Sequence, residues 1–292
     1  MESIGEVMDK IIDHDKYDAV VSSIMSNEEI QAFISGNEMQ ETEIKKSYPK
    51  FYEYLHPNKA FDGFTSKLIF HNGYADVVYR ETEEAIKSKK AKAAIRKLKA
   101  GSLILDETIK DATFDTFEAG TAEESSALRF AHDLAEFYKN GGKGNAFMSG
   151  PAGSGKSHLS MSILKDYLAD GEKTALFVSY SHVVRLIKDS FNNRDSMYTQ
   201  NNMMSLLTSV DLLVIDDIGS ENNSDFSEEL LTDVLDGRMS TIITTNLSSG
   251  ELRGSATKNG RYAPRTASRM FKSIGKKAFN FKGINDKRVL PF

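Results

Sequence analysis

The sequence predicts an α/β fold: a five-stranded parallel sheet flanked by helices, preceded by a small, mainly helical N-terminal domain. Three observations carry that expectation. Gly150 to Ser157 (GPAGSGKS) fits G-x-x-x-x-G-K-[ST] and lies between a short apolar segment, Ala146 to Ser149, and an amphipathic run, Leu159 to Leu168, giving a strand, a phosphate-cradling loop and a helix in order. Leu212 to Asp217 (LLVIDD) reads as a strand buried on both faces that ends in two carboxylates, where ligands bind in open α/β sheets. Around these segments, apolar strand-length stretches alternate with amphipathic helical ones, the rhythm of a parallel sheet.

The chain of 292 residues is long enough for one large or two ordinary domains, and 40% hydrophobic with 27% charged residues is a globular composition. The absence of cysteine excludes disulfides, thiol catalysis and cysteine-based zinc sites. His14, His56, His71, His132, His158 and His182 are scattered without ligand spacing, so no structural metal is expected. No apolar run approaches the roughly 18 residues of a membrane span, and MESIGEVMDK lacks a signal pattern, which predicts a cytoplasmic protein with no membrane partner. Charge is segregated. Acidic residues dominate the first part of the chain, whereas after Glu251 a row of bases from Arg253 to Arg288 faces only Asp286. An acidic front and a basic tail suggest two different partners.

From Ile4 to about Tyr54 apolar residues recur at helical intervals, with Ser26 and Asn27 placed to cap one helix and Thr42 opening another, until Pro57, Asn58 and Gly63 end the run. Phe64 to Tyr79 reads as a hairpin turning at His71-Asn72-Gly73. Glu81 to Lys99 is a basic helix: a solvated linker, or a nucleic-acid contact. A domain boundary is placed near residue 110. A helix over Ala122 to Tyr138 leads to strands at Asn145 to Ser149, Thr174 to Ser179, Asp211 to Ile218, Thr241 to Thr245 and Lys277 to Phe281, with helices at His182 to Phe191 and Glu228 to Leu235.

The candidate site grows from the loop. Gly150, Pro151, Ala152, Gly153, Ser154, Gly155, Lys156, Ser157 and His158 would surround a polyphosphate, with glycines where a Cβ would obstruct the turn. Lys156 offers a point charge to the β- and γ-phosphates, and Ser157 offers a hydroxyl to Mg²⁺. Asp216 is placed to hold Mg²⁺ and Asp217 to orient or activate the attacking water. Asn246 ends the strand STIITTN and brings an amide to the same sheet edge, unless it only caps that strand. Arg265 and Arg269, four apart in PRTASRM, share a helix face suited to phosphate or to solvent. Arg288 is a further candidate for contact with the nucleotide of its own subunit.

The order GPAGSGKSHL, LLVIDDIG, STIITTN and the arginine pair resembles the AAA+ P-loop ATPases of the DnaC/DnaI type, the helicase loaders of bacteria and phages. EEIQAFISGNEMQETEIKKSYPKFYEYL is similar to the front of DnaI-like loaders, and ATFDTFEAG to the segment that leads into their ATPase domain. The resemblance implies a phage-encoded loader whose residues 1–110 grip a hexameric replicative helicase of the DnaB type. Residues 111–292 would form an AAA+ domain that binds ATP, Mg²⁺ and single-stranded DNA and self-associates. Lys156 and Ser157 would be Walker A, Asp216 and Asp217 Walker B, Asn246 sensor 1, and Arg269 the arginine finger with Arg265 its rival. Arg185 and Lys188 lie where the family places a DNA-contacting helix. Two departures stand out. DnaI-type loaders usually carry a cysteine-based zinc site, which this chain must replace by packing. Asp217 stands where many AAA+ proteins have glutamate, which implies slow hydrolysis. The rival readings are an IstB-like transposition ATPase, against which the DnaI-like front argues, a nucleotide-dependent adaptor without required hydrolysis, and, more remotely, a small-molecule P-loop kinase.

Overall fold

The computed structural model describes residues 14–57, 63–193, 195–255 and 258–287. The chain forms two compact units, residues 1–87 and 88–292.

In the first unit, helices α1 (His14–Met25), α2 (Glu28–Gly36) and α3 (Glu41–Leu55) accompany an antiparallel hairpin of β1 (Phe64–His71) and β2 (Tyr74–Glu81). Asn27 caps α2 by accepting from Ile30 N at 3.1 Å. The hairpin turns on Asn72 and Gly73, whose φ values of 52° and 77° are those a two-residue type I′ turn needs. Ile24, Ile30, Phe51, Leu68, Ala75 and Val77 make a common core. Ser47 locks helix to hairpin: its hydroxyl accepts from Ala75 N at 2.7 Å and donates to Glu43 O at 2.7 Å.

The unit boundary lies inside helix α4 (Glu83–Gly101), not near residue 110. The reason is burial. Leu98 enters the core of the second unit with Ala94 and Ile95 packed beside it, and Leu103 forms a parallel bridge to Val178 at the sheet edge. Short 3₁₀ turns at Glu107–Asp111 and Phe114–Thr116 then lead to α5 (Ala122–Lys139), capped by Thr121, whose hydroxyl accepts from Glu124 N while the Glu124 carboxylate accepts from Thr121 N.

The sheet contains β3 (Ala146–Ser149), β4 (Ala175–Ser179), β5 (Leu212–Ile218), β6 (Thr241–Thr245) and β9 (Ala278–Asn280), in the order β4-β5-β6-β3-β9 and parallel throughout. The intervening elements are α6 (Lys156–Tyr167), α7 (Tyr180–Ser190), α8 (Gln200–Ser209), α9 (Asp225–Asp236), α10 (Ser249–Arg253), the small β7–β8 hairpin (Gly254–Ser255, Lys258–Asn259) and α11 (Pro264–Met270). Neither α8 nor the small hairpin is expected from periodicity. Strand residues alternate between two cores: Leu212, Val214 and Ile242 face one side, Leu213, Ile215 and Ile243 the other. Burial on both faces explains why these strands read as unbroken apolar runs.

Candidate active site

The strand order decides the site. Because β6 lies between β5 and β3, the C-terminal ends of three neighbouring strands bring the Asp216–Asp217 pair, Asn246 and the Gly150–Ser157 loop to one sheet edge. Gly153 and Gly155 take φ values of 71° and 90°, which residues with a Cβ resist. A Cβ on Gly153 would lie 1.6 Å from an Asp286 carboxylate oxygen, and one on Gly155 would lie 2.5 Å from the Phe117 ring, so the loop needs glycine for space as well.

Lys156 is nearly buried, and its ammonium donates to Gly150 O at 2.9 Å, Pro151 O at 2.7 Å and Asn246 Oδ1 at 2.9 Å. An anion entering the loop would compete for these donors. Asn246 uses its other end to donate to Asp217 Oδ1 at 3.0 Å and so bridges the lysine and the second carboxylate. The Ser157 hydroxyl donates to both Asp216 oxygens, at 2.8 and 3.0 Å, and Thr244 Oγ1 donates to Asp216 Oδ1 at 2.6 Å. Desolvation of its half-buried position pushes the Asp216 carboxyl up to about 6, against the pull of the Thr244 and Ser157 hydroxyls. The register of β5 against β6 shifts between Ile215 and Ile218, a bulge in which Asp217 adopts φ 58° and its N–H donates to Thr244 Oγ1 at 2.9 Å. Thr244 therefore holds both aspartates, one through each role of its hydroxyl.

These groups border a cavity of about 640 Å³ whose other walls include Phe117, His158, Ile104 and Lys287. His158 Nε2 donates to Thr113 O at 2.9 Å, its ring meets Phe117 edge-on at 5.6 Å, and burial pulls its pKa down. Its imidazole is thus tied to the segment before α5, and the residue lines the cavity beside the loop. Ser154 stabilises the loop by donating to Pro151 O at 2.8 Å, and Ala152 lines the cavity. The chain returns to the loop near its end: Lys287 N donates to Gly153 O at 3.0 Å, while the Lys287 ammonium pairs with Glu124 at 3.1 Å and lies over Phe117 at 4.4 Å.

Arg265 and Arg269 are not among the residues lining this cavity. They belong to α11, whose last carbonyls, Arg269 O and Met270 O, accept from Asn145 Nδ2 at 3.0 and 3.2 Å. Asn145 immediately precedes β3, and the loop follows that strand's other end, about 17 Å away at 3.3 Å per residue. The two arginines thus sit at the opposite end of β3 from the chain's own loop. Arg185 and Lys188 lie exposed on α7, away from the cavity lining. Arg288 lies outside the described residues. Thr244, Phe117 and Lys287 were not expected from the sequence; of the three, only Thr244 had a signal, the polar pair Thr244-Thr245 closing an otherwise apolar strand.

A family profile described as IstB-like ATP binding protein matches residues 70–256. The chain belongs to that family. It is 25% identical over 178 residues to the replicative helicase loader DnaC of Escherichia coli strain K12, covering 60% of this chain and 71% of that one. The DnaC of Buchnera aphidicola subsp. Baizongia pistaciae is 28% identical over 200 residues, covering 64% and 77%. A second profile, the N-terminus of primosomal protein DnaI, matches residues 1–86. Among solved structures, a putative primosome component from Streptococcus pyogenes serotype M3 aligns with TM-score 0.49 and 20% identity, over 66% of this chain and 97% of that one.

Proposed function

We propose that this IstB-like protein is an ATP-dependent AAA+ loader that binds a hexameric replicative helicase and helps place it on single-stranded DNA. The carrying observation is the joining of a DnaI-type N-terminal region, residues 1–86, to an ATP-binding core whose curated relatives include DnaC loaders. An IstB-like transposition ATPase would share the core but has no use for that front.

In this reading the loop amides and Lys156 bind the phosphates of ATP. The converging oxygens of Ser157 and Asp216 suit a hard cation, and Mg²⁺ bound there would supply charge neutralisation for the phosphoryl oxygens. Asp217, aimed by the bulge and Asn246, orients the attacking water. Since Arg265 and Arg269 stand away from the chain's own loop, they serve a neighbouring copy, and self-association completes the site. The short Asp217 side chain favours slow turnover, a switch more than a motor; a rate well above about 10 per second would overturn that point. Residues of the N-terminal unit grip the helicase, α7 contacts single-stranded DNA, and the protein works in the cytoplasm of a bacterial cell, from the bacterium or its phage.

The test is reconstitution of helicase loading on single-stranded circular DNA with the full chain and the host's replicative helicase. Loading that requires this protein and ATP, and fails with Lys156→Ala, supports the reading. Absence of any association with the helicase overturns it.

A further inference from the structure

We infer that Asp236 is the positioning residue that aims Arg269, and not Arg265, at the nucleotide of a neighbouring copy; the inference rests on the composite-site reading above. Helix α11 is only seven residues long, too short to hold its own shape, so its orientation must come from its neighbours. Helix α9 supplies it. Glu228, Thr232 and Asp236 stand at i, i+4 and i+8 on one helix face, and each engages the next part of α11. Glu228 Oε1 accepts from Ala263 N at 2.6 Å and from Thr266 Oγ1 at 2.8 Å, which pins the start of α11. The hydroxyls of Thr232 and Thr266 meet at 2.9 Å in the middle. At the end, the Asp236 carboxylate takes Arg269 through Nε on one oxygen and Arg265 through Nη2 at 3.4 Å on the other. Asn145 holds the terminal carbonyls of α11.

The two arginines are not equivalent in this arrangement. Asp236 meets Arg269 at Nε, the root of its guanidinium, as an ion pair without a formed hydrogen bond, and among the described residues no partner is found for its two terminal nitrogens. A guanidinium held at its root presents its outer donors in a fixed direction, the geometry that phosphate oxygens accept. Arg265 is held by one of its own terminal nitrogens and its side chain is 72% exposed, against 39% for Arg269. Removing the Asp236 charge would therefore free the direction of Arg269 while leaving the chain's own ATP cavity, which neither residue lines, intact.

Subunit mixing tests this. Asp236→Asn should lower ATP turnover about 100-fold, the scale of a small misplacement of a catalytic group, with KM for ATP unchanged. Mixed with Lys156→Ala subunits, which cannot bind ATP but offer intact arginines, it should recover turnover. Arg269→Ala mixed with Lys156→Ala is the control for the composite site, and Arg265→Ala alone should keep most of its activity. If the Arg269→Ala mixture recovers but the Asp236→Asn mixture does not, Asp236 acts within its own subunit and the inference is wrong while the composite site stands. If neither mixture recovers, the composite site itself is wrong and the inference falls with it. Wild-type turnover by Asp236→Asn alone, or a larger loss in Arg265→Ala than in Arg269→Ala, also overturns it. Should Asp236→Asn not fold, Asp236→Glu, which keeps the charge but displaces it, enters the same mixtures with the same expected recovery.

Discussion

Asp217 is held in a conformation that a non-glycine residue enters at a cost of about 1 kcal/mol, and the bulge that imposes it is what turns the carboxylate toward Asn246. Asparagine tolerates the left-handed region better than most residues. Asp217→Asn is therefore expected to retain ATP binding and full thermal stability while losing turnover, measured by phosphate release beside a melting curve. Asp216 gives a pH prediction with a definite sign. Its carboxyl is raised from 3.8 to about 6, so between those values the folded protein holds a proton that the unfolded chain has lost. Stability from this group is complete below about pH 4 and is lost as pH rises through about 6, by up to roughly 3 kcal/mol. Other carboxylates, such as Asp76 beside Lys50 and Asp111 beside Lys99, are shifted down and slope the opposite way, so the informative quantity is a difference. In metal-free buffer, Asp216→Asn should gain stability relative to the parent between pH 4.5 and 7, read by urea titration; an unchanged difference would show that burial does not perturb Asp216.

At the scale of elements, the strands were legible because burial on both faces leaves unbroken apolar runs, and the loop because few backbones but glycine can curl around an anion. Helix α8, QNNMMSLLTS, was not legible: polar residues open it, and Met203 and Leu207 are its only fully buried positions. The expected boundary near 110 and the division at residues 87 and 88 differ because α4 has a polar, basic sequence whose one deeply buried side chain, Leu98, joins the core of the second unit. Leu98→Ala should then destabilise the ATP-binding unit by about 2–5 kcal/mol. Denaturant unfolding followed through nucleotide-dependent stabilisation would check this, and a neutral result would return α4 to the status of linker. The roles of Thr244 and Asp236 were invisible for a different reason. Each acts on a partner 27 to 33 residues away, through contacts that only the finished fold creates.

For the whole molecule, the division at residues 87 and 88 makes a prediction about fragments. Residues 88–292 should bind ATP and melt close to the second unit of the full chain, whereas residues 111–292 lack Leu98 and the Leu103 bridge and should melt several degrees lower. Equal melting temperatures would favour the boundary near 110. The segregated charge bears on partners: single-strand binding through basic residues should weaken with salt by about −0.7 in log–log slope per phosphate neutralised, and a flat salt response would remove DNA from the proposal.

The strand β3 carries the loop at one end and, through Asn145, the arginine helix at the other, so a single copy is directional. If each nucleotide is completed by the next copy head to tail, the contact is heterologous and repeats from copy to copy. An open row of n copies would then hold n − 1 finished sites, with one nucleotide at the leading end always lacking its arginine. Only a closed ring would finish them all, so the ratio of active sites to subunits would reveal whether the assembly has ends.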